Sequence, residues 1–221
     1  MVLVMVFLTV VCSIAAVETV AWLKRRREFQ ESAQRSTEPV IGEVYWHPGH
    51  AWLRVLSRER AAIGIDGFAL RLLGRVDEVR LPDPGTGVRK DEPFASVRQG
   101  TRWVHFSSPV DGTVAEINPR GVAESREGEE RYEKGWLCRL QASDLKEMPA
   151  GLIGPHDVRE WMARQVQTVM DFFARQSVGP QIQPMIPDGG TLVDGLLEQA
   201  DDETWTQLTA RLFEAPSHNE R

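Results

Sequence analysis

Hydrophobic and polar positions divide the chain into an apolar N-terminus, a region of short runs and a region with helical spacing. The apolar segment covers residues 1–23, and a polar stretch, residues 24–42, follows it. Residues 43–148 contain short apolar runs broken by Gly, Pro and Asp, and residues 149–221 contain longer periodic stretches. We therefore expect a transmembrane helix, a juxtamembrane linker, a β domain and a C-terminal helical extension, in that order.

The N-terminal segment has the length and the flanks of a transmembrane helix. Met1–Leu23 is long enough to cross the bilayer hydrocarbon, which takes about 20 helical residues. Trp22 and the basic residues after it are typical interface anchors; these residues are Lys24, Arg25, Arg26 and Arg27. The positive-inside rule predicts a single-pass protein of the inner (plasma) membrane, with the lipid bilayer as one partner and the C-terminal domain in the cytoplasm. Glu18 either contacts a partner helix or extends its carboxylate to the interface.

The middle region has the texture of an all-β domain. Short apolar runs with turn signals between them indicate a sandwich or a barrel. The runs are AWLRVL, AAIGI, EVRLP, PFASV, WVHFSSP, GTVAEIN and GWLCRL. One helix is predicted among them, in IDGFALRLLGRV, where Asp66 can cap the N-terminus and Gly74 can end the helix.

Two helices are predicted after Pro149. Apolar residues at i, i+3, i+4 and i+7 mark the first one, and they are Val158, Trp161, Met162, Val166, Val169, Met170 and Phe173. Such a stripe either packs against a core or receives a partner. The second helix can begin at Asp201 or Asp202, and its apolar face would carry Trp205, Leu208 and Leu212.

Charge and motif content argue against several classes of function. The net charge of −6 argues against a general nucleic-acid-binding protein. The sequence has no G-x-S-x-G, H-E-x-x-H or C-x-x-C motif and no Gly-rich nucleotide loop. His47 and His50 are three residues apart, but no third ligand is near them in sequence, so no metal site is predicted. We predict that the protein is not an enzyme, because the sequence shows no catalytic pair. A pocket joining these histidines and His105 with a metal or a carboxylate would favour an enzyme instead.

The runs from Tyr45 to about Met148 resemble the H protein of the glycine cleavage system, a lipoyl carrier. YWHPGHAWLRV is similar to the family's opening strand with its His-Glu-Trp signature. AAIGIDGFALRLLGRVDEVRLPDPGTGVRKDEPFASV, SSPVDGTVAEINP and YEKGWLCRL resemble the middle, the Ser-Pro-Val-Ser-Gly turn and the closing strand, in the family's order. The resemblance implies a mainly β fold, the lipoyl-domain β-sandwich (barrel-sandwich hybrid). An N-terminal transmembrane helix and C-terminal α-helices would be added to it.

The resemblance also implies a lipoyl lysine at the tip of a hairpin, where this chain has Thr101. The lipoyl amide needs a primary amine, which threonine lacks. Two further positions that are acidic in the family are Arg98 and His105, and the glutamate of the opening signature is Ala51. In the family, the acids at the last two positions belong to the cleft that shelters the loaded arm. Attachment site and cleft are therefore altered together, and no lipoate cofactor is expected.

The tip sequence RQGTRW suggests a docking surface in place of a carrier site. Its candidate residues are Arg98, Arg102, Trp103 and His105, because Arg and Trp are enriched at interface hot spots. Alternatively, Trp103 packs inward and the arginines are merely solvated. The sequence thus predicts a membrane-anchored, non-lipoylated scaffold or accessory subunit with protein partners. The other hypothesis is a carrier that uses an unconventional attachment or a partner's lipoate.

Overall fold

A computed structural model describes residues 41–125, 130–142, 145, 147–175 and 194–213. The strands of this part of the chain are β1 (Val44–Trp46), β2 (Ala51–Ser57), β3 (Arg60–Ile65), β4 (Glu78–Arg80), β5 (Gly87–Val88), β6 (Pro93–Gln99), β7 (Arg102–Ser107), β8 (Gly112–Ile117) and β9 (Cys138–Ala142). Its helices are α1 (Gly67–Leu73), α2 (Gly121–Glu124), α3 (Arg131–Lys134), α4 (Val158–Arg175) and α5 (Asp202–Phe213).

The strands form two antiparallel sheets around one core. The larger sheet has the order β1-β2-β3-β9-β8-β5, and the smaller sheet has the order β4-β6-β7. Leu53, Ile63 and Leu140 of the larger sheet belong to the same buried cluster as Val97 and Phe106 of the smaller sheet. The two sheets therefore enclose a common interior, as in a β-sandwich. The predicted mainly β fold is confirmed.

Helix α1 begins and ends where the sequence predicts. The Asp66 carboxylate accepts a hydrogen bond from the Ala69 N–H (2.8 Å), which satisfies one of the free donors of the first turn. Gly74 follows the last turn with φ of 77°. A side chain at Gly74 would also meet the Cα of Gly195 at 2.5 Å, so glycine is required there both by the backbone angle and by close approach of the C-terminal segment.

The C-terminal helices share the core of the β domain. Asp201 caps α5 by accepting from the Thr204 N–H (2.7 Å), one of the two predicted caps. The predicted apolar face of α5 is confirmed, since Trp205, Leu208 and Leu212 are all buried. In α4, by contrast, Trp161, Val169 and Phe172 are the buried residues. Trp161 and Val169 belong to the predicted stripe, but Phe172 does not. The remaining members of the stripe are only half-buried, and they are Val158, Met162, Val166, Met170 and Phe173.

The predicted membrane segment, its anchors Trp22 and Lys24–Arg27, and Glu18 lie outside the described residues. Among the helices of the described ranges, none combines the length and the apolar character that crossing a bilayer requires.

The packing of α5 predicts a large loss of stability for Trp205→Ala. The indole is buried and its Nε1–H donates to Gln99 Oε1 (2.9 Å), so truncation removes both apolar contacts and a buried hydrogen bond. We expect the free energy of unfolding to fall by about 3–5 kcal/mol, measured by urea unfolding followed by circular dichroism. Thr206→Ala, at an exposed position of the same helix, is the control and should change it by less than about 0.5 kcal/mol. Equal effects of the two substitutions would contradict the packing described here.

Candidate functional site: the hairpin tip and its sheet

The tip of the β6–β7 hairpin is a two-residue turn formed by Gly100 and Thr101. Gln99 pairs with Arg102 at the end of the ladder, and Gly100 has φ of 61°. Glycine at the first central position with positive φ is characteristic of a type II′ turn. Asp77 supports the turn, because its carboxylate accepts from the Gly100 N–H (2.7 Å), and this bond holds the pKa of Asp77 below its ordinary value. Thr101 is exposed, so the tip presents a hydroxyl.

The lysines of the described residues lie away from this tip. Lys90 is next to the opposite end of the hairpin, where it bridges Ser108, and its ammonium lies 3.3 Å from Asp91. Lys134 ends α3 and pairs with Glu130. Lys24 and Lys146 lie outside the described residues.

The outer face of the smaller sheet carries a cluster of arginine, tryptophan and glutamate, which we call the Arg–Trp face. Glu78, Arg98 and Trp103 lie opposite one another on the three strands. The Glu78 carboxylate accepts from Arg98 Nε (2.9 Å) and from Arg80 Nε (2.7 Å). These two hydrogen bonds, with that of Arg80 the stronger cause, hold the pKa of Glu78 below its usual range. The carboxylate is therefore ionised between two guanidinium groups.

Trp103 lies on this outer face and is half-buried beneath the arginines. The Arg80 guanidinium carbon is 4.0 Å from the Trp103 ring centroid, and that of Arg98 is 5.9 Å away. The first distance is a close cation–π contact. The alternative that Trp103 packs into the core is thus wrong.

In the next row of the sheet, His105 is exposed, and its Nδ1 is within hydrogen-bonding distance of Ser96 Oγ (2.8 Å).

Arg102 does not belong to this face, contrary to the sequence-based prediction. Its guanidinium donates to the Ala200 carbonyl (3.0 Å) and lies 3.5 Å from the Asp202 carboxylate. It also lies 5.2 Å from the ring centroid of Trp205. Because successive side chains of a strand point to opposite sides, Arg102 is directed to the C-terminal segment while Trp103 is directed outward. Arg102 therefore fixes the tip to its own chain.

Gln99, which pairs with Arg102 on the neighbouring strand β6, also contacts the C-terminal segment. Its side-chain NH₂ donates to the backbone carbonyls of Leu73 and Arg75, and its Oε1 accepts from Trp205. The residue is buried, with 4% of its surface exposed, so three neighbouring elements meet at one amide.

The sequence reasoning missed Gln99, Glu78 and Arg80. The polar–apolar–polar order of Glu78–Arg80 indicates a strand with one exposed face, but this order does not predict that β4 pairs with β6.

His47 and His50 face different carboxylates. His47 Nε2 lies 2.8 Å from Asp91 Oδ1, and its Nδ1 accepts from the Gly49 N–H (3.0 Å). His50 Nδ1 lies 2.7 Å from Asp66 Oδ2. Within the described ranges, no group of three or more His, Cys, Asp or Glu residues is arranged to hold a metal ion.

Two further buried positions limit the chemistry that this domain can perform. Cys138 is fully buried, and burial raises the pKa of its thiol to about 12, so it is not a nucleophile near neutral pH. Ala51, at the position where the resemblance implies a cleft glutamate, is completely buried in β2 opposite Ile65. It provides no carboxylate to a cleft.

The β domain and the start of the C-terminal extension resemble known proteins. The family model described as glycine cleavage H-protein matches residues 44–165. The chain belongs to the glycine cleavage H-protein family. The glycine cleavage system H protein of Bacillus subtilis (strain 168) is 38% identical over 101 residues, which are 45% of this chain and 78% of that protein. The one of Anaeromyxobacter sp. (strain K) is 38% identical over 104 residues, 46% of this chain and 79% of that protein.

A solved H-protein structure is also similar to this chain. The crystal structure of the glycine cleavage system H protein from Mycobacterium marinum has a TM-score of 0.45 and 21% identity, and covers 57% of this chain and 98% of that one. The span matched by the H-protein family model ends within α4. Helix α5, which holds Gln99 and Arg102, lies beyond that span.

The buried contact of His47 predicts a pH dependence of stability. Burial lowers the pKa of His47 despite the opposing effect of Asp91. The unfolded chain therefore binds a proton at His47 more readily, and stability falls as the pH drops below the ordinary histidine pKa of about 6.5. We expect the free energy of unfolding to decrease from pH 7 to pH 5, measured by urea unfolding, and His47→Gln to reduce that slope. An unchanged slope in His47→Gln would refute this assignment, and Thr206→Ala should retain the wild-type slope.

Proposed function

We propose that this H-protein family member acts as a scaffold or accessory subunit without a lipoyl arm. The observation that carries the proposal is the exposed hydroxyl of Thr101 at the type II′ tip, where the family resemblance implies a lysine. A hydroxyl cannot form the lipoyl amide. The domain is then a binding module and not a catalyst, and it carries no lipoate.

The surroundings of the tip support a docking role. Arg98, Trp103 and His105 of the predicted docking surface lie on the outer face of the smaller sheet, next to Arg80 and Glu78. Arg and Trp are, with Tyr, enriched among energetically dominant interface residues. The inner face of the same hairpin is covered by the C-terminal segment through Gln99 and Arg102. The outer face is therefore the side on which the hairpin can meet another protein.

Attachment to the cytoplasmic face of the inner membrane is part of the same proposal. Its support is the sequence of Met1–Leu23 with the basic residues that follow. Such an anchor would hold the domain near membrane proteins, so the proposed partners are subunits of a membrane-associated complex.

A carrier role with an unconventional attachment, or with a partner's lipoate, is the second candidate. Membership in the H-protein family favours it. So does the ammonium of Lys134, since that side chain is 60% exposed and carries the primary amine that lipoylation requires.

Lipoylation of the wild-type chain and of Thr101→Lys tests the proposal directly. Both proteins are incubated with a lipoate–protein ligase, lipoate and ATP, and the intact mass is measured. We expect no adduct on the wild type and one lipoyl adduct on Thr101→Lys, because the turn presents its second residue to solvent. Thr101→Arg is the matched control, since it adds a cation of similar length without an acylatable amine. A lipoyl or octanoyl adduct on any lysine of wild-type protein from its native host would refute the non-lipoylated scaffold.

The partner is sought in the same native host. A mild-detergent pull-down of the full chain, with Met1–Leu23 retained, should recover co-purifying membrane-complex subunits. A protein that remains monomeric and alone under these conditions would refute the accessory-subunit role.

A further inference from the structure

The Arg–Trp face holds one guanidinium in a fixed orientation. Arg80 donates from Nε to Glu78 (2.7 Å), and its guanidinium carbon lies 4.0 Å from the Trp103 ring centroid. Two contacts on a planar group restrict both its position and its rotation. The rotamer entropy that an arginine normally loses on binding is therefore already lost in part in the free protein.

The terminal nitrogens of Arg80 remain available. Within the part of the chain that the structure describes, the hydrogen bond of Arg80 comes from Nε, and the side chain is 65% exposed. More of the N–H donors of Arg98 are engaged within the chain, because its Nε donates to Glu78 and one terminal nitrogen donates to the Gly100 carbonyl (2.8 Å). Arg80 thus offers an oriented pair of N–H donors to solvent, the arrangement that binds both oxygens of a carboxylate.

The charge of the face has the sign that such a ligand requires. Arg80 and Arg98 share a single carboxylate, that of Glu78, so the face is positive in a chain whose net charge is −6. The geometry points to Arg80 over Trp103 as a binding site for an Asp or Glu side chain of a partner protein. This inference rests on the proposed scaffold function and specifies the chemistry of its partner.

A protein carboxylate fits this face better than a membrane or a nucleic acid. Recognition of anionic lipid takes clusters of about four to eight basic residues, and nucleic-acid binding likewise depends on many phosphate contacts. Here a glutamate lies between the two arginines and weakens long-range attraction. The neighbouring row adds the polar groups of Ser96 and His105, which suit the mixed polar surface of a protein interface.

The test uses the full chain in non-ionic detergent and hexaglutamate as a probe. Isotopically labelled tryptophan and arginine side chains are observed by NMR during the titration. We expect the Trp103 indole and Arg80 Nε–H resonances to shift in a saturable manner. Arg80→Gln should weaken the affinity about tenfold, as the loss of a charge-assisted hydrogen bond does. Arg80→Lys should weaken the affinity as well, because lysine retains the positive charge but lacks the pair of N–H donors that contacts both carboxylate oxygens. Arg80 is exposed, and an unchanged urea midpoint would confirm that the variants fold.

Arg89→Gln is the matched control, because Arg89 is an 80% exposed arginine on another part of the surface. It removes the same charge and should leave the affinity within twofold. Equal weakening by Arg80→Gln and Arg89→Gln, no shift at Trp103, or full affinity in Arg80→Lys would overturn the inference. So would binding to phosphatidylglycerol vesicles that depends on Arg80 in the absence of peptide binding.

Failure here is distinguishable from failure of the proposed function. A lipoyl adduct on the native protein would refute the scaffold while leaving peptide binding measurable. An inert Arg–Trp face on an unmodified protein that still captures a partner would mean that the scaffold docks through another surface.

Discussion

The buried side-chain amide of Gln99 connects the β6–β7 hairpin with the end of α1 and with α5, and the arrangement of the candidate site depends on these contacts. It donates to carbonyls at the end of α1 and accepts from the indole of Trp205 in α5. A buried amide left without partners costs about 1–3 kcal/mol, so these groups are held in one arrangement. The hairpin, the end of α1 and the C-terminal helix therefore keep a fixed relation, and Arg102 reinforces it from the adjacent strand.

This arrangement gives the hairpin two faces with different roles. Gln99 and Arg102 are directed to the chain itself, whereas Arg98 and Trp103 are directed outward. Alternation along a strand is sufficient to separate them. Contact with the C-terminal segment and the proposed contact with a partner therefore use different side chains.

Local features were predictable from sequence, and pairings distant in sequence were not. The cap at Asp66 and the apolar face of α5 depend on residues within one or two turns of each other, so the pattern indicated them correctly. Placement of Arg102 on the docking surface was wrong, because its partners Ala200 and Asp202 are about a hundred positions away and nothing local points to them. The alternation in RQGTRW does imply that Arg102 and Trp103 point to opposite sides.

The family resemblance predicted the β-sandwich, but it could not predict the Arg–Trp face. That face depends on the register of β4 against β6, which places Glu78 beside Arg98. It also depends on Arg80, two residues along β4, reaching the Trp103 ring. Register is set by turn geometry and by the buried side of each strand, and a three-residue strand contains too little pattern to specify it.

A rigid hairpin suits docking for a physical reason that does not apply to a carrier. A swinging arm works by remaining mobile, and the ordering of its atoms opposes every binding event. At the Arg–Trp face, the side chains are already ordered by Glu78 and Trp103, and the hairpin beneath them is fixed by Gln99. Binding there loses little conformational entropy. The tip presents the hydroxyl of Thr101 and no amine, while the surface beside it has the preorganisation that the proposed interaction site requires.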